Sequence, residues 1–262
     1  MLVLYLFVTL PHHIMIEVFD LPTLMLAATS AFLAGISKSG VKGLGIFIVT
    51  LMALALGGKL SSGVVLVLFM LGDVFAVIYY KRHVVWPLLF KLLPAMLVGV
   101  LVAVVVGQRM PEDTFRKVMS GIILLSVAIM YWWEYKPQKY VPKSAAFAYA
   151  MGLTAGFTTM IGNLAGAFSN IFFLSLRIEK NQFIGTASYL FFIVNIFKLP
   201  FHVFYWHTVD KTSLQLNIVL IPFLAAGLYV GINLLNHIST ASFRKMILLL
   251  TALGACAMLF LR

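Results

Sequence analysis

Long apolar runs joined by short polar connections make up almost the whole chain. Ten apolar segments can be drawn, at about residues 21–37, 44–57, 61–80, 88–107, 117–135, 144–161, 164–176, 183–205, 214–236 and 243–261. A helix rises about 1.5 Å per residue, so crossing a bilayer's hydrocarbon core takes about 20 residues. Segments two and seven are too short to cross comfortably. Each follows a glycine-containing break: GISKSGVKGLG over 35–45 and GFTTMIGNLAG over 156–166.

The two breaks correspond. Gly35 and Gly45 match Gly156 and Gly166 at an offset of 121, and Gly63 and Asp73 match Gly185 and Asn195 at 122. Pro94, Gly99 and Phe115-Arg116-Lys117 match Pro222, Gly227 and Phe243-Arg244-Lys245 at 128. The offset grows only where a loop lengthens, which marks a duplication with five segments per copy. The pattern predicts one all-α integral membrane domain over 1–262 with 8–10 membrane helices. Repeat one covers about 21–135 and repeat two about 144–261. Whether the short segments cross or form re-entrant hairpins stays open.

Orientation follows from Lys and Arg in the connections. If each short segment reverses the chain, Lys81, Arg82, Lys91, Lys136, Lys139, Lys143, Arg177, Lys180, Arg244 and Lys245 share one side. Lys59, Arg109, Arg116, Lys117, Lys198, Lys211 and Arg262 fall opposite. That excess favours a cytoplasmic 136–143 loop and two copies inverted relative to each other.

Composition adds the solvent. Hydrophobic residues make up 62% of the 262 and charged residues only 10%, with a mean hydropathy of +1.04. A soluble domain carries roughly a quarter charged residues, so lipid must cover this surface. The expected location is the cell (inner) membrane, as a multi-pass protein. The net charge of +11 lies mostly in the connections, as topology signals do, and does not indicate nucleic acid. The single Cys256 allows no intrachain disulfide. MLVLYLFVTLPHH lacks a basic leading region and reads as a retained interfacial segment.

Backbone breaks inside a bilayer are tolerated only where buried in protein or lining a wet cavity, and paired breaks in inverted repeats point to a transporter's central site. The first break offers Ser37, Lys38, Ser39, Gly40, Lys42 and Gly43, which bring cations, hydroxyls and helix-terminal N–H groups. These are the makings of an oxyanion site. The second break offers Thr158, Thr159 and Asn163, with Ser169 and Asn170 beyond, all polar and uncharged. One copy then neutralises an anion while the other hydrogen-bonds its remaining oxygens. Against this stands a plainer reading, in which the glycines serve close packing and the lysines snorkel to headgroups.

Asp73 is the acid placed well within a span, and it either pairs with a lysine or serves as a proton or sodium coupling site. Asn195, Lys198 and His202 share one helical face, with Pro200 between them. Trp132 and Trp133 read as an interfacial belt. His12-His13 has no convergent ligands for a metal, the first break lacks the P-loop order, and no catalytic constellation is present. No enzyme activity, metal or cofactor is expected.

GISKSGVKGLGIF, its second copy GFTTMIGNLAGAF, HVVWPLL and WHTVD after the third helix of each copy, and P-x-x-x-x-G in each following helix resemble the TauE/SafE family. The resemblance runs from about residue 25 to the end. Serines and lysines stand here where family members often show a denser glycine run. The resemblance implies a membrane transporter of the sulfite and organosulfonate exporter kind. The expected function is therefore a secondary transporter for a small anion, a sulfonate or sulfur oxyanion, working by alternating access. The alternatives are a passive anion channel and, further off, an intramembrane enzyme. Expected partners are a small anionic substrate, the lipid bilayer and no nucleic acid; a coupling proton or sodium ion and a homodimer stay open.

Overall fold

The computed structural model describes residues 19–39, 44–135, 144–175, 179–234 and Cys256. Nine α-helices and one 3-10 turn order the described residues: α1 (Leu21–Lys38), α2 (Leu44–Leu56), α3 (Gly58–Tyr80), the turn Lys81–His83, α4 (Trp86–Gln108), α5 (Glu112–Tyr135), α6 (Ala145–Gly162), α7 (Ala165–Ser175), α8 (Lys180–Phe204) and α9 (Lys211–Leu234). Among the described residues there is no strand. Among the described residues six helical stretches are long and apolar enough to cross a membrane: Leu21–Lys38, Gly58–His83, Trp86–Gln108, Ala145–Gly162, Asn181–Phe204 and Lys211–Asn233. The expected segments match these helices to within a few residues. The N-terminal segment, the 136–143 loop and segment ten apart from Cys256 lie outside the described residues.

Local chemistry sets the helix ends. Asp20 caps α1 by accepting the Thr23 N–H, and Ser144 caps α6 by accepting that of Phe147. Gly57, at φ 82°, makes the turn from α2 into α3, a conformation that side chains resist. Glu112 then accepts the N–H groups of Gly58 and Lys59 at 2.6 and 3.2 Å, tying the start of α3 to the start of α5. Asn163 ends α6 in the left-handed region (φ 56°, ψ 31°), and its N–H returns to the carbonyls of Thr158 and Thr159. Asn tolerates that conformation better than most residues, so the second break is written into its residue type.

Two helix pairs pack most extensively, α1 with α9 and α4 with α6. Glycines carry both. A Cβ on Gly35 would strike the backbone of Leu224 and Gly227, and one on Gly227 would strike Phe32. A Cβ on Gly156 would strike Met96, and one on Gly99 would strike Leu153 and Phe157. Small residues let helix backbones approach this closely, which is how helices associate in lipid. The pairs are reciprocal: the first helix of each sequence copy packs on the fourth helix of the other.

The third helices of the copies, α3 and α8, meet at the centre. Gly63 near the start of α3 lies against Thr208, just past the end of α8. Gly185 near the start of α8 lies against Tyr80 and His83, at the end of α3. Midway, Asn195 Nδ2 donates to Asp73 Oδ2 at 2.8 Å. The two helices therefore run antiparallel and touch through residues matched by the offset of 122.

Candidate functional site

The residues at the two breaks, far apart in sequence, meet around the α3–α8 contact. Lys38, the last residue of α1, donates from Nζ to Asp73 Oδ1 at 2.5 Å. Its ammonium also lies 4.5 Å from the Phe69 ring centre and 5.9 Å from that of Phe191. Asp73 is 1% exposed, so its charge depends on Lys38 and Asn195. Of the two roles open for Asp73, pairing with a lysine is the one observed.

Behind this pair stands Lys198, fully enclosed. Its Nζ donates to Asn163 Oδ1 at 2.6 Å, Thr159 Oγ1 at 3.2 Å and Asn195 Oδ1 at 3.3 Å. Asn163 Nδ2 donates in turn to the Ser62 carbonyl at 2.9 Å. Asn195 thus joins the two halves of the network: its amide nitrogen faces Asp73 and its amide oxygen faces Lys198. Lys38 and Thr159 hold matching places in the two copies, at the offset of 121.

A cavity of about 150 Å³ opens beside this network. A water fills roughly 10–15 Å³ of such space, so several waters or one small anion fit. Ser37, Lys38, Asp73, Thr159, Asn163, Asn170 and Asn195 contribute its polar wall. Phe69, Phe183 and Phe191 stand among its apolar wall. The first residues of both short helices line it too: Gly45 and Ile46 from α2, and Ala165, Gly166 and Ala167 from α7. The first turn of a helix carries N–H groups without intrahelical partners and the positive end of the dipole. Two such ends and the Lys38 ammonium share one small space.

Other expected site residues are placed differently. Ser39 donates its hydroxyl to the Ile36 carbonyl, while its own carbonyl accepts from Tyr80 at 3.1 Å. Thr158 donates to Thr154 and Ala155 on its own helix. Neither lines the cavity. His202 is buried away from it, with Nδ1 2.7 Å from Thr208 Oγ1. α8 stays helical through Pro200. Gly40, Lys42 and Gly43 lie outside the described residues. The sequence reading passed over Phe69 and Phe191, although the offset of 122 pairs them one turn before Asp73 and Asn195.

One known family matches most of the chain. Its description reads "Sulfite exporter TauE/SafE", and it matches residues 26–258. The chain belongs to the TauE/SafE family. It is accordingly a multi-pass membrane protein of a transporter family, and an inner-membrane location is consistent with that. No curated protein and no solved structure matches the chain. Two segments that carried the resemblance have plain structural work in this TauE/SafE chain. In the 84–85 connection Val85 N donates to Thr186 Oγ1 at 2.9 Å, and Trp206 Nε1 donates to the Val104 carbonyl at 3.1 Å. Each clips a connection of one sequence copy onto a helix of the other.

Proposed function

We propose that this protein is a secondary transporter that moves a small anion, of the sulfonate or sulfur-oxyanion class, by alternating access of two inverted repeats. One observation carries the anion: the starts of α2 and α7 and the Lys38 ammonium all open on the same cavity. Aligned helix N-termini are anion sites in their own right, and a lysine beside them adds a full charge. Thr159, Asn163 and Asn195 supply neutral polar groups around it. The family description supports the sulfur-anion class.

The inverted arrangement is supported by the antiparallel contact of α3 and α8 through matched residues and by the reciprocal α1–α9 and α4–α6 pairs. Equivalent helices that run antiparallel are related by an axis in the membrane plane, the usual frame for alternating access. The glycine-packed pairs would then move as bodies about the central helices.

The test is uptake into vesicles reconstituted with the purified protein, with sulfite, thiosulfate, taurine and methanesulfonate offered in turn. A transporter accumulates at least one of them above its electrochemical equilibrium when an ion gradient is imposed. Flux that only relaxes to equilibrium under every gradient identifies a channel and overturns the transporter reading.

A further inference from the structure

Lys198 has an arrangement that direct contact with the substrate leaves unexplained. It is fully buried, it does not line the cavity, and its three hydrogen-bond partners among the described residues are neutral oxygens. The nearest carboxylate, Asp73, is already bonded to Lys38 through Oδ1 and to Asn195 through Oδ2. Asn195 stands between that carboxylate and Lys198. A permanent ammonium enclosed this way has no direct counter-ion among the described residues, which is costly in a membrane interior.

The three partners suit either form of the amine. As a neutral amine, Lys198 donates two hydrogens to Asn163 Oδ1 and Asn195 Oδ1, and its lone pair accepts the Thr159 hydroxyl hydrogen. As an ammonium it donates to all three oxygens, and the Thr159 hydroxyl must then turn its hydrogen elsewhere. Asn side-chain oxygens only accept, whereas a Thr hydroxyl does both, so Thr159 is the partner that can reverse. Thr159 also lines the cavity where the anion is placed.

We propose that Lys198 is the proton-binding site that couples proton movement to anion movement, with Thr159 as the link between them. This rests on the anion-transport reading above. An anion in the cavity favours the ammonium, and the ammonium frees the Thr159 hydroxyl to donate to the anion. A hydronium in the cavity gives its proton to Thr159 Oγ1 as the hydroxyl passes its own hydrogen to the lone pair of Nζ, and the reverse relay returns the proton to water once the cavity opens on the far side and the anion has left. No electrons transfer, and a monovalent anion and one proton cross together without net charge.

The surrounding charges fit this assignment. Asp73 on α3 and Lys38 on α1 face Lys198 across Asn195, and they neutralise each other. α7 carries no titratable side chain, and the break that precedes it presents the neutral Thr159 and Asn163. His202 lies one turn along α8 and bonds Thr208. Lys81, Arg82 and His83 in the turn, and Lys91 on α4, are exposed. A sodium ion is a poorer fit, because it would press against the Lys38 ammonium to reach Asp73, and the Asn163 and Asn195 oxygens already serve Lys198.

The experiment uses vesicles loaded with a pH-sensitive dye, with methanesulfonate as the probe because it stays ionised and cannot carry the proton itself. Wild type should acidify the lumen with a stoichiometry near one proton per anion, and its flux should ignore an imposed potential. Lys198→Gln keeps a donor for the Asn oxygens but cannot take up the proton; its anion flux should persist without acidification and become potential-sensitive. Thr159→Val should weaken methanesulfonate binding about 10- to 100-fold by removing one charge-assisted hydrogen bond. Lys59→Met, in the first turn of α3 and outside the cavity lining, should behave as wild type. Proton entry with Lys198→Gln equal to wild type overturns the assignment, as does wild-type anion uptake with no proton. If wild type accumulates none of the four anions named above, the transport reading falls first and takes this one with it.

Discussion

Removing the Lys38 ammonium should damage the fold through Asp73, and removing both charges together should repair it. Asp73 is 1% exposed and Lys38 is 12% exposed at the side chain, so the pair is largely withdrawn from water. Lys38→Met leaves the Asp73 carboxylate with Asn195 as its remaining donor among the described residues. Breaking a buried pair from one side costs about 3–5 kcal/mol, because the surviving charge is stranded. Loss of the ammonium over Phe69 adds about 0.5–2 kcal/mol. Asp73→Asn should cost less, about 1–3 kcal/mol, because the Lys38 ammonium can turn toward the cavity. In the double variant Lys38→Met with Asp73→Asn no charge is stranded, and we expect it to fall short of the summed single effects by at least about 2 kcal/mol. Unfolding of all four proteins by denaturing detergent in mixed micelles measures the cycle. Singles that add in the double variant to within about 0.5 kcal/mol would refute the pair as a structural unit. Anion binding separates the roles: the double variant should regain stability and still bind poorly, since the cavity has lost its cation.

Three further outcomes follow from the packing and the breaks. Gly156→Ala should destabilise by about 1–3 kcal/mol in the same assay, because its Cβ would press on the Met96 backbone, whereas Gly121→Ala, with open space around it, should be neutral or gain up to about 1 kcal/mol. Asn163→Gly keeps the left-handed turn but removes the amide that serves Lys198 and Ser62, so it should lose about 1–3 kcal/mol; Asn163→Ala, which has neither the freedom of Gly nor the polar side chain that lets Asn adopt that backbone, should lose more. In a Cys256→Ser background, single cysteines at Gln108 and Gln138 should be labelled by an impermeant maleimide from opposite sides of the membrane. Labelling of both from one side would contradict the inverted repeats.

Much of the architecture was legible in the residues alone. Lipid requires apolar runs of about 20 residues with every backbone group satisfied, so hydropathy locates helices directly. The expected segments and the observed helices agree for that reason. The matched offsets were legible because glycines, prolines and the Asp73–Asn195 pair recur at fixed spacings, and several of these glycines sit where a Cβ would strike a neighbouring backbone.

What the tertiary structure decided is which way each side chain turns and which distant group it meets. Thr158 and Thr159 are neighbours in sequence, yet successive residues point about 100° apart around a helix, so one bonds its own helix and the other reaches Lys198 and the cavity. Sequence placed Lys38 and Lys198 alike as candidate ligands. The antiparallel contact of α3 and α8 gives Lys38 the Asp73 carboxylate and leaves Lys198 among neutral oxygens. Local periodicity fixes where an apolar stripe lies, and it carries no record of the partner 35 or 122 residues away that the stripe will meet. That record exists only once the helices have packed, because burial forces each charge and amide to take the partner that the neighbouring backbone holds in place.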